Sequence, residues 1–286
     1  MSRTTNEVTA KLLVSSATFL ILFGLSASAA LGQLYGINND NGNLYKISTA
    51  DASLALVGNT GIAAIGSLEY RPSDGRLYGF TSGSNPNLYR IDRSNANATL
   101  VGPLSTVFDF EGALVLAPNG TAYAANLGSS LADGLFTINL DTAAVTTIGT
   151  ISGGEHDING LAWRSDGMLV GLDRVTNSLL AINPSTAVST LIAPISVAVG
   201  AVGGMASAGN SGYFATAGPS SGSNQLYSFD LFTGASTLIG SFSPTITGSG
   251  ISGLALAVPE PSTIALCGLA GLAVAGVVAR RRSTTP

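Results

Sequence analysis

The feature that most constrains the fold is a repeat of 44 to 49 residues that runs through the middle of the chain. The repeat starts at the five glycines Gly66, Gly112, Gly160, Gly204 and Gly253. Each complete unit contains four short apolar or alternating segments separated by turn residues. In the first unit these segments read GSLEY, RLYGF, NLYRID and ATLVG.

Turn signals between the first two segments of each unit identify the repeating element. The motifs SDG, NG, SDG and NSG recur there, and Asx-Gly pairs form tight antiparallel hairpins because both residues tolerate positive φ. The chain has 36 glycines and only 10% charged residues, so glycine is expected mainly in turns of an all-β protein. Four strands in this length are the size of one β-propeller blade.

The two ends of the repeat region complement each other. Residues 34–57 match the second, third and fourth segments of a unit, and residues 253–257 match the missing first segment. We therefore predict an all-β, five-bladed β-propeller of four-stranded blades over residues 33–258, closed by the C-terminal strand. A β-solenoid is the alternative, and it would need shorter coils and no ring closure.

The N-terminus has the layout of a secretory signal peptide. Arg3 and Lys11 precede an apolar run that ends in the small residues of Ala27-Ser28-Ala29 and Ala30-Leu31-Gly32. We predict a signal helix over residues 1–32, with a core helix or a retained anchor as the alternative. The single Cys267 excludes an intramolecular disulfide.

The C-terminus carries an uncharged run from Ser262 to Ala279. As a helix it would be roughly 27 Å long, close to the roughly 30 Å of a bilayer core. Three arginines follow, which favours a cytoplasmic end and an outward body. The sequence therefore predicts a transmembrane helix within a separate segment, residues 259–286.

The stretch VPEP, the apolar helix and the final RRR together resemble the PEP-CTERM sorting signal of Gram-negative bacteria, over residues 258–282. The resemblance implies recognition by an exosortase, a membrane-embedded protease, after delivery by the export machinery. It also implies transient anchoring by the C-terminal helix and then a cell-surface or extracellular location; an ordinary C-terminal anchor is the alternative. The residues that match the motif and its stop signal are Pro259, Glu260, Pro261, Arg280, Arg281 and Arg282.

The repeat units are also similar to lactonase-like and NHL-like propeller repeats, in the pattern LYxxxxxxxLYxIDxxTxxxTLVG. This likeness carries no function, because function resides in sites built on a fold. Between residues 33 and 258 there are 14 acids and 7 bases. A body with this acidic excess is not expected to bind nucleic acid.

A candidate ligand site follows from the propeller topology. The loops that enter the innermost strands share one face, and two of these loops, in neighbouring blades, carry five ionisable residues: Asp109, Glu111, Glu155, His156 and Asp157. Such a cluster could hold Ca²⁺ or another divalent ion, or its carboxylates could act as acid and base on a glycoside. It could equally be a solvated rim.

Other polar and aromatic residues at repeat positions have structural explanations. Asp92, Asp141 and Asp230 follow the third strand and are expected to accept backbone N–H bonds in the next turn. Trp163 and the recurring tyrosines are expected to pack between blades.

Taken together, these features predict an exported protein that is more consistent with a non-enzymatic role than with catalysis. We expect a binding or structural component of the extracellular matrix, with exopolysaccharide or cell-surface components as partners. The alternative is a hydrolase or lactonase acting on extracellular glycans or esters through the five ionisable residues.

Overall fold

The computed structural model describes residues 32–105, 112–127, 133–197, 202–216, 225–246 and 248–258. The predicted signal helix and the sorting segment from Pro259 onward lie outside these ranges, so both helices remain predictions. Across the described ranges, no helix has the length and apolarity needed to cross a bilayer.

The described residues form twenty strands. In chain order they are β1 (Gln33–Asn38), β2 (Asn43–Ile47), β3 (Leu54–Asn59), β4 (Glu69–Arg71), β5 (Arg76–Phe80), β6 (Asn87–Ile91), β7 (Ala98–Pro103), β8 (Ala113–Leu116), β9 (Ala122–Leu127), β10 (Asp133–Ile138), β11 (Val145–Thr150), β12 (Ile158–Trp163), β13 (Leu169–Asp173), β14 (Ser178–Ile182), β15 (Ser189–Pro194), β16 (Val202–Ala208), β17 (Ser211–Thr216), β18 (Gln225–Asp230), β19 (Ser236–Ser241) and β20 (Ile251–Ala257).

These strands pair into five four-stranded antiparallel sheets, confirming the predicted five-bladed propeller. From the axis outward, blade 1 is β20-β1-β2-β3, blade 2 is β4 to β7, blade 3 is β8 to β11, blade 4 is β12 to β15 and blade 5 is β16 to β19. The five innermost strands contact one another around a closed ring.

Blade 1 closes the ring as the complementary ends of the repeat predict. The C-terminal strand β20 pairs antiparallel with β1, with Gln33 opposite Ala257 and Leu34 opposite Leu256. Because the first and last described strands share one sheet, the ring is closed without a disulfide.

The hydrophobic core lies between blades. Five apolar clusters each join two neighbouring blades; one of them packs Leu172 of blade 4 against Phe214 of blade 5. A fully buried side chain of this size contributes about 1.5–3 kcal/mol. Trp163 packs edge-on against Tyr123 of blade 3, with ring centroids 5.7 Å apart, which confirms its predicted packing role.

Glycine does more than form turns, because it also allows the inner strands to approach one another at the axis. Gly204 has a φ of +71°, and a Cβ there would lie 2.7 Å from the Leu254 nitrogen. A Cβ on Gly253 would lie 2.7 Å from the Leu68 nitrogen. The inner strands are so close that the space between them leaves no room for a water molecule.

The propeller has two distinct faces. We call the top face the one that carries the loops entering the inner strands and the loops between second and third strands. The bottom face carries the turns between first and second strands and those between third and fourth strands. Val258 follows β20 on the bottom face, so the chain continues toward the sorting segment from there.

The turns between third and fourth strands correct one prediction. The carboxylates of Asp92 and Asp230 do accept backbone N–H bonds, both 2.8 Å, from the second residue beyond them. In blade 3, however, Asn139 has this role and accepts the N–H of Asp141 at 2.9 Å. The prediction for Asp141 is wrong because the turn starts two residues earlier, and its carboxylate is directed elsewhere.

These turns also dock each blade onto its neighbour. Four of them place an alanine at positive φ, between 57° and 64°, namely Ala52, Ala96, Ala143 and Ala187. Each of these alanines faces a glycine in the outer strand of the preceding blade, and the glycines are Gly240, Gly58, Gly102 and Gly149. Between blades 4 and 5 the pair is reversed, with Ala193 in the outer strand and Gly234 in the turn. Each of the five contacts therefore holds a single methyl group.

Candidate functional site

The top-face loops hold the residues that the sequence singles out. Asp109 and Glu111 lie outside the described residues, so their part in a shared cluster stays a prediction. Glu155 is exposed to solvent, whereas His156 and Asp157 are buried, with 4% and 5% of their surfaces exposed. His156 and Asp157 therefore do not form part of a solvated rim.

Both ring nitrogens of His156 have partners within the protein. Nδ1 lies 2.8 Å from Oδ2 of Asp173, and Nε2 lies 3.0 Å from the carbonyl oxygen of Ser152. Both partners carry acceptor oxygens, so both ring nitrogens are occupied by contacts inside the protein. The imidazole thus acts as a link between the loop before β12 and the end of β13.

Asp173 is the centre of this cluster and is fully buried. It accepts the N–H groups of Asp157 and Val175, both at 3.0 Å, and the Thr176 hydroxyl at 2.5 Å, in addition to His156. Burial alone would raise the pKa of Asp173, but these four hydrogen bonds outweigh it and hold the pKa below its usual range. The Asp173 carboxylate therefore stays ionised beside the His156 ring.

Asp157 has a charged partner of its own. Its Oδ2 accepts a hydrogen bond from Nε of Arg174 at 2.8 Å and a second, shorter one from the same guanidinium. The Arg174 backbone N–H also donates to the Asp157 carbonyl, at 2.9 Å. This pairing neutralises a carboxylate that burial would otherwise penalise.

Asp133 extends the cluster from blade 4 to blade 3. It starts β10, is fully buried, and its Oδ2 accepts the N–H of Ile158 at the start of β12. Its Oδ1 has no hydrogen-bond partner among the described residues. The pKa of Asp133 is raised to about 7, mainly because burial penalises its charged form; the Ile158 N–H opposes the shift, and the charges of Asp157 and Asp173 reinforce it.

The cluster therefore joins blades 3 and 4 rather than presenting reactive groups. Within the described parts of the chain, no three His, Cys, Asp or Glu side chains are arranged to hold a metal ion. The sequence identified His156 and Asp157 but missed Asp133, Asp173 and Arg174. Asp173 and Arg174 follow one another at the end of a second strand, and only the fold brings that position to His156.

The comparisons with known proteins agree with this architecture. Residues 257–282 match the PEP-CTERM protein-sorting motif, which confirms the resemblance and implies export, C-terminal membrane anchoring and processing by an exosortase-type membrane enzyme. Fold and motif together define an exported β-propeller. Residues 57–250 match the family described as "Repeat of unknown function (DUF6923)", and the chain belongs to this family. A search of the curated proteins found no match.

Solved structures share the fold at low sequence identity. A chain of the nidogen/laminin complex is 13% identical, with a TM-score of 0.52 over 80% of this chain and 99% of that one. A protein of unknown function from Bacteroides thetaiotaomicron is 17% identical, with a TM-score of 0.51 over 74% and 58%. The periplasmic gluconolactonase of Pseudomonas aeruginosa is 16% identical, with a TM-score of 0.43 over 70% and 64%. These likenesses concern the fold alone.

Proposed function

We propose that this protein is a non-enzymatic binding component of the extracellular matrix, displayed at the cell surface or released after processing of its sorting segment. The sorting motif supports the location. The state of His156 supports the non-enzymatic role, because the only histidine of the chain is buried with both ring nitrogens bonded inside the protein.

A general acid or base must come within hydrogen-bond reach of its substrate. His156 would first have to leave both Asp173 and the Ser152 carbonyl. Asp173, its partner, is fully buried and already accepts four hydrogen bonds. These bonds favour a structural use of the cluster over the hydrolase alternative.

The charge of the body indicates the kind of polymer that it would bind. With 14 acids against 7 bases between residues 33 and 258, the propeller repels polyanions at long range. A neutral polysaccharide with many hydroxyl groups is therefore the preferred partner in this proposal.

The proposal is tested with the full chain in mild detergent. We expect retention on at least one immobilised neutral polysaccharide, and no hydrolysis of δ-gluconolactone above the buffer rate. Hydrolysis that is lost in the exposed variant Glu155→Gln would overturn the non-enzymatic role, and no retention on any polysaccharide would overturn the matrix role. Repeating the binding with a chelator tests the predicted divalent ion, since loss of retention would assign one to the binding surface.

A further inference from the structure

A cavity of about 430 Å³ opens at the turns of blade 3 on the bottom face, where Arg71 of blade 2 also lines it. Five polar residues are among those that line it, namely Arg71, Asp141, Thr121, Thr137 and Thr146. Leu140, a core residue, also lines it. We call this cavity the groove. Its volume falls within the range of about 300–1,000 Å³ of small-ligand sites.

The Arg71 guanidinium is held in place by Asp74 and Tyr78 of its own blade. One terminal nitrogen donates to Asp74 at 2.6 Å and also to the Tyr78 hydroxyl, and the guanidinium lies 4.5 Å from the centroid of the Tyr78 ring. The other terminal nitrogen donates to Asp141 at 2.7 Å. Nε is buried and has no hydrogen-bond partner among the described residues. The guanidinium is therefore fixed in place, with its terminal nitrogens directed at Asp74, Tyr78 and Asp141.

The equivalent position between blades 4 and 5 is built differently. Arg71 ends β4 and Arg164 directly follows β12, but the Nε and one terminal nitrogen of Arg164 both donate to Asp166, at 2.9 and 2.6 Å. Phe232 then covers the guanidinium, with its ring centroid 3.9 Å away. Phe232 and Asp141 occupy the same place in their turns, each two residues after the Asx residue that caps the turn.

The two junctions also differ at this turn position. Phe232 covers its arginine with an apolar ring, whereas Asp141 places a carboxylate at the cavity, and that side chain is 72% exposed. The exposed Asp141 carboxylate can thus accept further hydrogen bonds, and the Arg71 guanidinium beside it is held in a fixed position. The three threonine hydroxyls can donate or accept as a ligand requires.

The charge of the groove disfavours an anionic ligand. Arg71 contributes one positive charge, and Asp74 and Asp141 contribute two negative charges, so the local balance is −1. A carboxylate or phosphate would meet net repulsion. A neutral sugar suits the site, because its hydroxyl groups can donate to Asp141 and accept from Arg71 and the threonines.

We propose that the groove, which lies at the turns of blade 3 beside Arg71 of blade 2, binds a neutral saccharide unit of a matrix polymer. This inference rests on the proposed function and names the binding surface for it. The groove lies on the same face as Val258, the last described residue.

The inference is tested on the full chain by titration with methyl glycosides of glucose, galactose and mannose, while the threonine methyl groups are followed by NMR. We expect the signals of Thr121, Thr137 and Thr146 to shift with at least one glycoside. Methyl glucuronide, the anionic counterpart, should shift them less at equal concentration.

Two variants locate the binding. Thr146→Val removes one hydroxyl group at constant shape and should weaken affinity by about fivefold, as expected for one hydrogen bond. Its matched control is Thr190→Val at the same strand position of blade 4, which should leave affinity unchanged. Asp141→Phe copies the junction of blades 4 and 5 and should reduce affinity by at least about tenfold. An unchanged melting temperature would show that this variant still folds.

The outcomes separate the groove from the wider proposal. If polysaccharide retention is equal in the wild type and Asp141→Phe, the groove is refuted while the matrix role stands. If glycosides shift the three threonine signals but no polysaccharide is retained, the groove stands and the matrix role is refuted. If neither effect occurs, both are refuted.

Discussion

The two junctions on either side of blade 3 use charged residues in opposite ways. Between blades 3 and 4, on the top face, His156, Asp157 and Asp173 are buried and bonded to protein partners. Between blades 2 and 3, on the bottom face, Arg71 and Asp141 face a cavity of about 430 Å³. The ionisable residues between blades 3 and 4 thus stabilise their junction. In our proposal, those between blades 2 and 3 contribute to binding a saccharide.

The largest expected difference between the two junctions is in stability. Asp173→Ala leaves the buried groups that donate to this carboxylate without their acceptor and should lower the free energy of unfolding by about 3–5 kcal/mol. Asp141→Ala removes an exposed partner of Arg71 and should cost about 0–1 kcal/mol. Urea unfolding of both variants measures this difference, and equal losses would contradict the structural role of the top-face cluster.

The pH dependence of stability should come mainly from buried carboxyl groups. Folded Asp133 keeps its proton up to a pKa of about 7, whereas an unfolded aspartate loses it near 3.8. The folded state therefore binds more protons within this window, and stability should fall as pH rises from about 4 to about 7, by about 1–3 kcal/mol. Half-buried Glu69, whose pKa is raised from 4.5 to about 8 by desolvation, acts in the same direction.

Asp133→Asn keeps an acceptor for the Ile158 N–H and removes the titration. Thermal melts between pH 4 and 8 should show a flatter profile for this variant than for the wild type. Asp141→Asn, in the exposed groove, is the matched control and should keep the wild-type slope. An unchanged slope in Asp133→Asn would show that this carboxyl group does not retain its proton on folding.

The outer contacts between blades provide a third test, because the two junctions beside blade 3 share the same glycine–alanine pairing. Only the pair between blades 4 and 5 is reversed. In Gly234→Ala the new Cβ would lie 2.6 Å from the Pro194 carbonyl oxygen and 3.4 Å from the Ala193 Cβ, and we expect a loss of about 1–2 kcal/mol. Adding Ala193→Gly reproduces the other four pairs and should recover part of the loss in a double-mutant cycle. Purely additive effects would mean that the two positions are not coupled.

The smallest expected effect on stability is that of Asp141→Phe. The Arg71 guanidinium keeps Asp74 and Tyr78 in this variant and gains an aromatic cover like that of Arg164. The free energy of unfolding should change by no more than about 0.5 kcal/mol. A large loss would show that the Arg71–Asp141 pair holds the junction together.

Much of the fold could be predicted from the sequence because each repeat carries its own strand and turn signals. The incomplete first unit and the extra segment at residues 253–257 together predicted the closure, and β20 pairs with β1 accordingly. The outer glycine–alanine contacts were missed, since alanine at positive φ has no signal of its own. Four equivalent alanines adopt it at the same place in their turns, and a glycine of the neighbouring blade leaves room for each methyl group.

The sites were harder to predict because burial and partners come from other strands. In the sequence, His156 and Asp157 look like solvated loop residues. In the fold, Asp173, sixteen residues beyond Asp157, lies within hydrogen-bond distance of both. In the sequence, Asp141 looks like an ordinary turn residue. In the fold, Arg71, seventy residues earlier, donates a hydrogen bond to it across the blade junction. Local sequence does not carry either contact.

The most direct test compares polysaccharide retention and melting temperature in two variants of the full chain, Asp141→Phe and His156→Gln. The central claim is that the top-face cluster maintains the fold and the bottom-face groove binds the ligand. We therefore expect Asp141→Phe to lose retention at an unchanged melting temperature, and His156→Gln to melt earlier but retain polysaccharide while folded. Lost retention in folded His156→Gln, together with normal retention in Asp141→Phe, would contradict the claim.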